Sequence, residues 1–167
     1  MNSKILEKSQ RIKVVLTDVD GVLTDGGMYY SAEGDSMKRF HVRDGMGVTL
    51  LRKKNISTII VTKEKNQIIK QWAKNMKIKK LYDGVLDKGK ILDEVCKSFK
   101  VKPQEIAYIG DDLNDVSLLS KVGFSAVPLD AIDQAKKISD YVCKKNSGNA
   151  AFRELVDLIL FTQKDKS

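Results

Sequence analysis

The sequence predicts an α/β domain built on a doubly wound parallel sheet that carries an inserted β-hairpin. Three observations point to this class. Apolar runs of strand length, IKVVLTDVD (12–20), ISTIIVT (56–62) and IAYIGDD (106–112), alternate with segments of helical periodicity, the pattern of parallel strands joined by right-handed helical crossovers. The runs are continuous rather than alternating, as suits strands buried on both faces. Each run also ends in a polar or acidic residue, where an open parallel sheet binds its ligands.

The elements follow in order. The start, MNSKILEKSQRIK, is polar and lacks an apolar h-region, so no secretion signal is expected. Run 12–20 is the first strand. The glycine-punctuated stretch after it turns at Ala32-Glu33-Gly34-Asp35, which predicts a hairpin over about 22–42 projecting beyond that strand. Val48, Leu50 and Leu51 open a helix that stops near Asn55, and 56–62 is a second buried strand. Residues 66–76 form an amphipathic helix with Ile68, Ile69, Trp72 and Met76 on one face. A short strand over 80–85, a helix over 88–99 and a turn of helix at Pro103 lead into the strand within 106–112. A helix over 113–121, a strand over 124–129, a helix over 130–138 and a short strand over 141–144 come next. A final amphipathic helix covers 151–163. The length of 167 residues fits one domain by the soft prior of about 150 residues each. The expectation is a single unit over 1–167, ending in a C-terminal helix and tail over about 146–167.

Composition narrows the function classes. No apolar run approaches the ~18 residues that would span a bilayer, so no membrane role is expected. Cys96 and Cys143 share no metal-ligand spacing and make no disulfide framework; they read as reduced thiols of a cytoplasmic protein. Thirty basic residues against 22 acidic give a net charge of +8, which favours anionic partners. The lysine-rich stretches over 50–102 have no interleaved aromatic residues, so a stacking platform for nucleic acid is not expected. A small acidic metabolite stays open as an anionic partner, beside the plain reading that the lysines solvate exposed helix faces.

The chemistry sits at the strand ends. Asp18 and Asp20 close the first strand, Thr62 the second, Lys88 follows the short 80–85 strand, and Asp111, Asp112 and Asp115 stand at the end of the IAYIG strand within 106–112. Carboxylates converging on one crevice repel and raise one another's pKa unless a cation neutralises them. A hard divalent ion such as Mg²⁺ answers this, being content with one or two carboxylates plus phosphate and water. Asp18 can attack phosphorus to give an aspartyl-phosphate. Asp20, two residues on and on the same side of an extended segment, can protonate the leaving alkoxide and then deprotonate the hydrolytic water. Lys88 and Thr62 can hold phosphoryl oxygens. A lone D-x-D is usually a turn, and a lone Lys88 or Thr62 usually surface; the order of all four along the chain is what carries the reading. His41 reads as structural, since no carboxylate–His–nucleophile order is present.

The motif DVDGVLTDGG with Thr62, Lys88 and GDDLND resembles the four motifs of the haloacid dehalogenase superfamily of phosphatases, over about residues 12–161. The resemblance implies a Rossmann-like sheet without a cap domain and a magnesium-dependent phosphatase. Carried over, Asp18 is nucleophile and metal ligand, Asp20 is acid/base and binds metal through its carbonyl, Asp111 ligates metal, and Asp115 and Asp112 support the site. The hairpin, HVRDGMGVTLL and GNAAFRELVDLIL resemble more narrowly the small capless 3-deoxy-D-manno-octulosonate 8-phosphate phosphatases of lipopolysaccharide biosynthesis and their nine-carbon ulosonate 9-phosphate relatives. This implies a tetramer in which a neighbouring subunit helps close each site. It also implies substrate contacts from Arg43, Gly45, Lys63, Glu64 and Arg153, and a site-closing role for the segment around Gly148, Phe152 and Arg153. Departures leave the substrate's length open: Lys63 stands where the family has Gly, Glu64 matches the nine-carbon type, and VRDG matches the octulosonate type. A phospho-acceptor signalling module and a non-catalytic oligomerisation domain are the competing classes. The early D-x-D and late GDDLND run against the first, and retention of the motif residues runs against the second.

Overall fold

A computed structural model describes residues 3–163. The strands β1 (Val14–Thr17), β4 (Ser57–Val61), β5 (Lys80–Tyr82), β6 (Ile106–Ile109), β7 (Phe124–Val127) and β8 (Tyr141–Val142) form one parallel sheet in the order β5-β4-β1-β6-β7-β8. Separate from it, β2 (Tyr29–Ser31) and β3 (Gly34–Met37) pair antiparallel as the expected hairpin.

The central strands β1, β4, β6 and β7 are short but buried on both faces, which is why their sequences do not alternate. Val15, Ile60, Ala107 and Ile109 face a core shared with α2 (Val42–Lys53), α3 (Gln67–Asn75) and α7 (Ala151–Gln163). Their neighbours Val14, Leu16, Ile59, Ile106 and Tyr108 face the opposite core, beneath α4 (Leu92–Phe99), α5 (Val116–Leu119) and α6 (Asp133–Ile138). Among the described residues, no helix is long and apolar enough to cross a membrane. Cys96 and Cys143 are both free thiols.

Several boundaries differ from expectation, each for a physical reason. A helix, α1 (Ser3–Ser9), occupies the polar start. It packs against α7, and Gln163 Nε2 donates to the carbonyls of Ser9 and Ile12 at 3.4 and 2.8 Å; tertiary contact rather than amphipathic pattern holds it. The helix expected from Val48 begins six residues earlier, at Val42, where His41 Nδ1 caps it by accepting the Arg43 N–H at 3.2 Å. Gly45 and Gly47 conceal that start because glycine reads as a helix breaker. Here they permit close approach: a Cβ at Gly45 would lie 2.9 Å from Met76 Sδ, and one at Gly47 3.3 Å from the Phe152 ring. The segments expected as helices at 88 and 113 each begin with a 3-10 turn, Lys88–Ile91 and Leu113–Asp115.

The C-terminal expectation is corrected more deeply. Ala151, Phe152, Leu155, Val156 and Ile159 are fully buried in the core beside α2. The Phe152 side chain is therefore part of the core, and truncation after Lys145 would remove this core helix. Residues 164–167 of the expected tail lie outside the described residues.

Candidate active site

The sheet reverses its winding between β1 and β6, and ligands of open α/β sheets bind at such switch points. Thr17 of β1 lies in register with Ile60 of β4 on one side and Ile109 of β6 on the other. The residues just past these ends are Asp18, Thr62 and Asp111, so the topology alone gathers them around β1. The Asp18 N–H donates to the Ile109 carbonyl at 3.0 Å, extending the ladder to the first aspartate.

One buried ammonium organises the cluster. Lys88 has no exposed side-chain surface, and its Nζ sits 2.8 Å from Asp18 Oδ1 and 2.6 Å from Asp115 Oδ1. Asp115 is fully engaged: Oδ1 also accepts the Tyr108 hydroxyl, and Oδ2 accepts the N–H groups of Asp111 and Asp112 at 2.7 and 3.1 Å. Asp111 is the opposite case, because its Oδ1 is buried without a hydrogen-bond partner. Oxygen atoms of Asp18, Asp111 and Asp115 can all lie within 4.8 Å of one another. The loop between these carboxylates is tight. Gly21, at φ +89°, passes so close to Asp111 that a Cβ there would stand 2.0 Å from its Oδ2. Any side chain at position 21 would displace the carboxylate.

The electrostatics follow from three carboxylates sharing one lysine. Burial, opposed only in part by Lys88, pushes Asp18 up to about 7. Burial and the charges of Asp18 and Asp115 push Asp111 up to about 8. For Lys88, burial favours the neutral amine, but Asp18 and Asp115 outweigh it and its pKa is raised. A hard divalent cation fits this set: all donors are oxygen, charge is in excess, and Asp111 Oδ1 lacks a partner. Asp18 and Asp111 are the carboxylates free to hold it, since Asp115 is spent on Lys88, Tyr108 and two amides.

A pH dependence follows. An unfolded aspartate loses its proton near ~4, whereas the metal-free folded protein keeps protons on Asp18 and Asp111 until about 7 and about 8. The folded state thus binds more protons across that window, and its stability falls as pH rises from about 4 through about 8. Thermal unfolding without metal should give a lower Tm at pH 8.5 than at pH 5.5. Added Mg²⁺ should raise Tm more at the higher pH, because there it displaces fewer protons. A Tm that rises with pH in the absence of metal would contradict this charge arrangement.

The other expected residues divide. Thr62 is buried, with Oγ1 accepting the Glu64 N–H at 3.2 Å, and among the described residues nothing accepts its own proton. Asp112 caps the 3-10 turn through Leu113 N–H. Asp20 accepts hydrogen bonds from Thr24 Oγ1 at 3.2 Å and from Lys38 Nζ at 2.8 Å. Lys63 and Glu64 are exposed just beyond β4. Arg43 and Arg153 are not with the aspartates. They line a cavity of about 530 Å³ with Lys144, Lys145, Tyr141 and Glu154, and none of the clustered carboxylates borders it. Gly45 packs on Met76. In the same VRDG segment Asp44 is buried and accepts the Arg153 N–H at 2.8 Å, anchoring the start of α7. Burial, with the amides of Arg153 and Ala150 opposing, raises Asp44 to about 6.

Sequence reasoning missed Lys38 and Tyr108. Tyr108 reads as a core residue of its strand. Lys38 is one of 30 basic residues, and only its place at the hairpin's base separates it from the rest.

Comparison with known proteins places this geometry. A family model described as haloacid dehalogenase-like hydrolase matches residues 49–155. The 3-deoxy-D-manno-octulosonate 8-phosphate phosphatase of Haemophilus influenzae is 37% identical over 157 residues, covering 94% of this chain and 87% of the relative. The solved 3-deoxy-D-manno-octulosonate 8-phosphate phosphatase of Yersinia pestis superimposes with a TM-score of 0.95 at 33% identity, covering 98% of this chain and 88% of that one. A structure of the Moraxella catarrhalis phosphatase of the same name, in complex with magnesium, phosphate and a KDO molecule, also has a TM-score of 0.95. It is 34% identical and covers 99% of this chain and 95% of its own.

Proposed function

Because the chain belongs to the haloacid dehalogenase-like hydrolases, we propose that it is a Mg²⁺-dependent phosphohydrolase removing phosphate from 3-deoxy-D-manno-octulosonate 8-phosphate. The observation that carries the reading is Lys88 joining Asp18 to Asp115 beside the unpartnered carboxylate of Asp111. A relative of the same name holds magnesium, phosphate and the sugar acid, and the sequence likeness spans nearly the whole of both chains.

In this reading Asp18 attacks phosphorus, forming the aspartyl-phosphate as the bond to the sugar oxygen breaks. Asp20 gives that oxygen a proton, then takes one from the water that releases phosphate and regenerates Asp18. Lys88 holds Asp18 in place and offsets charge on the phosphoryl oxygens, and Thr62 donates its hydroxyl to one of them. Asp18, Asp111 and the backbone carbonyl of Asp20 would hold the metal, which when bound would neutralise the carboxylates and the transferring group. Asp115 and Asp112 shape the loop around them.

The whole chain acts as one phosphatase domain, in the cytoplasm and as a homotetramer. In that assembly the arginine-lined cavity of one subunit meets the sugar acid held by its neighbour. Its cations Arg43, Lys144, Lys145 and Arg153 outnumber its acids Glu154 and Asp157, which suits a substrate bearing a carboxylate and a phosphate of roughly −1.5 to −2 charge. A nine-carbon ulosonate 9-phosphate is the second reading, favoured by Glu64 beside Lys63 at the exposed end of β4. Phosphate release from the two substrates side by side, with Mg²⁺, tests the choice. Preference for the eight-carbon substrate is expected; turnover of neither by a folded, Mg²⁺-binding protein would overturn the phosphatase reading.

A further inference from the structure

We infer that Lys38, carried at the base of the hairpin, is a positioning residue for Asp20 that decides which carboxylate oxygen handles the proton. The inference rests on the phosphatase reading above. Lys38 follows β3, and its side chain is 1% exposed. Its ammonium lies 2.8 Å from Asp20 Oδ1 and 3.0 Å from Asp35 Oδ2. Asp35 is held in turn by Asn66 Nδ2 at 2.8 Å, from the residue that caps α3. The hairpin is thereby tied to the sheet's carboxyl edge at two points.

The consequence falls on the two oxygens of Asp20. Oδ1 receives both Lys38 and Thr24, while Oδ2 is buried and receives no hydrogen bond. A lysine can only donate, so Oδ1 is anchored as an acceptor and Oδ2 is left to carry the proton. Burying an ammonium is costly unless it is fully partnered, and Lys38 spends two of its three donors on carboxylates. Asp20 is thus held in place by a residue whose ion pairs, among the described residues, are with Asp20 and Asp35 and not with the clustered aspartates. In the forward step the Oδ2 proton goes to the leaving oxygen as the P–O bond breaks and Asp18 bonds to phosphorus. In the second step Oδ2 takes a proton from water, whose oxygen bonds to phosphorus as the bond to Asp18 breaks.

The test uses leaving groups that differ in their need for that proton. p-Nitrophenolate leaves unprotonated, whereas a sugar alkoxide does not. With Mg²⁺ and p-nitrophenyl phosphate, Lys38→Met should give a first-turnover burst of one nitrophenolate per site, at a rate within about threefold of the parent protein. Steady-state turnover should then fall by roughly 10²–10⁴, the usual worth of a positioned acid/base. With the sugar phosphate the first turnover itself should slow by a factor in that range, and Lys38→Arg should recover part of the loss. Equal slowing of both first turnovers, or no slowing of either, would overturn the inference. Should Lys38→Met fail to fold, Asp35→Asn unties Lys38 from the hairpin and should show the same split at smaller amplitude; its absence there also overturns it. A folded parent protein that turns over neither nitrophenyl phosphate nor the sugar phosphate would instead sink the phosphatase reading on which this one stands.

Discussion

The Asp18→Asn variant should fold, bind Mg²⁺ weakly and lose turnover by at least roughly 10⁴-fold, the scale seen when a covalent nucleophile is removed. The amide matches the carboxylate in volume but offers phosphorus no anionic oxygen. Stability should move the other way. Asp18 is one of three carboxylates around Lys88, and burial disfavours its charged form; a neutral side chain removes part of that repulsion while Asp115 keeps the lysine paired. Without metal, the variant should therefore melt no lower than the parent at pH 8 and should lose much of the parent's pH dependence. Phosphate release at saturating Mg²⁺, read beside a melting curve, checks both halves. Turnover retained above a few per cent would mean that water attacks phosphorus directly and that Asp18 is no nucleophile.

Lys88→Met should do the opposite, damaging fold and chemistry together. The methionine fills much the same space but leaves Asp18 and Asp115 buried without their shared cation. Breaking a buried pair from one side costs about 3–5 kcal/mol, a large part of the 5–15 kcal/mol that holds a typical domain. Urea denaturation without metal should show a sharply lowered midpoint. Mg²⁺ should restore some of it, because it binds only the folded cluster, and lowering the pH should do so as well by neutralising the carboxylates. Activity should stay down by about 10²–10³ even where the fold is recovered, the worth of one placed electrostatic donor. A stable and active Lys88→Met would show that the lysine is dispensable and that the aspartates settle their charge without it.

Legibility in the sequence tracked how local each feature is. The central strands and their terminal residues could be read because a doubly buried parallel strand is a continuous apolar run, and its carboxyl end is where chemistry appears. Asp18, Thr62, Lys88, Asp111 and Asp115 therefore stood out by position and order, and the structure gathers them around β1. The start of α2 could not be read, because two glycines that serve contacts with Met76 and Phe152 look locally like breakers. Lys38 was invisible for a related reason: its value lies in partners 3 and 18 residues away, across a hairpin whose path no periodicity reports. Phe152 was misplaced because a motif resemblance carries residue identity but not which face a helix buries.

The pairing of α1 with α7 bears on how this protein can be handled. Gln163 hydrogen-bonds the carbonyl of Ile12, six positions before Asp18 and at the opposite end of the first strand. At ~3.3 Å per strand residue, that puts the junction of Ile12 with Gln163 roughly 20 Å from the reacting aspartate. A probe placed at this junction would leave the crevice clear.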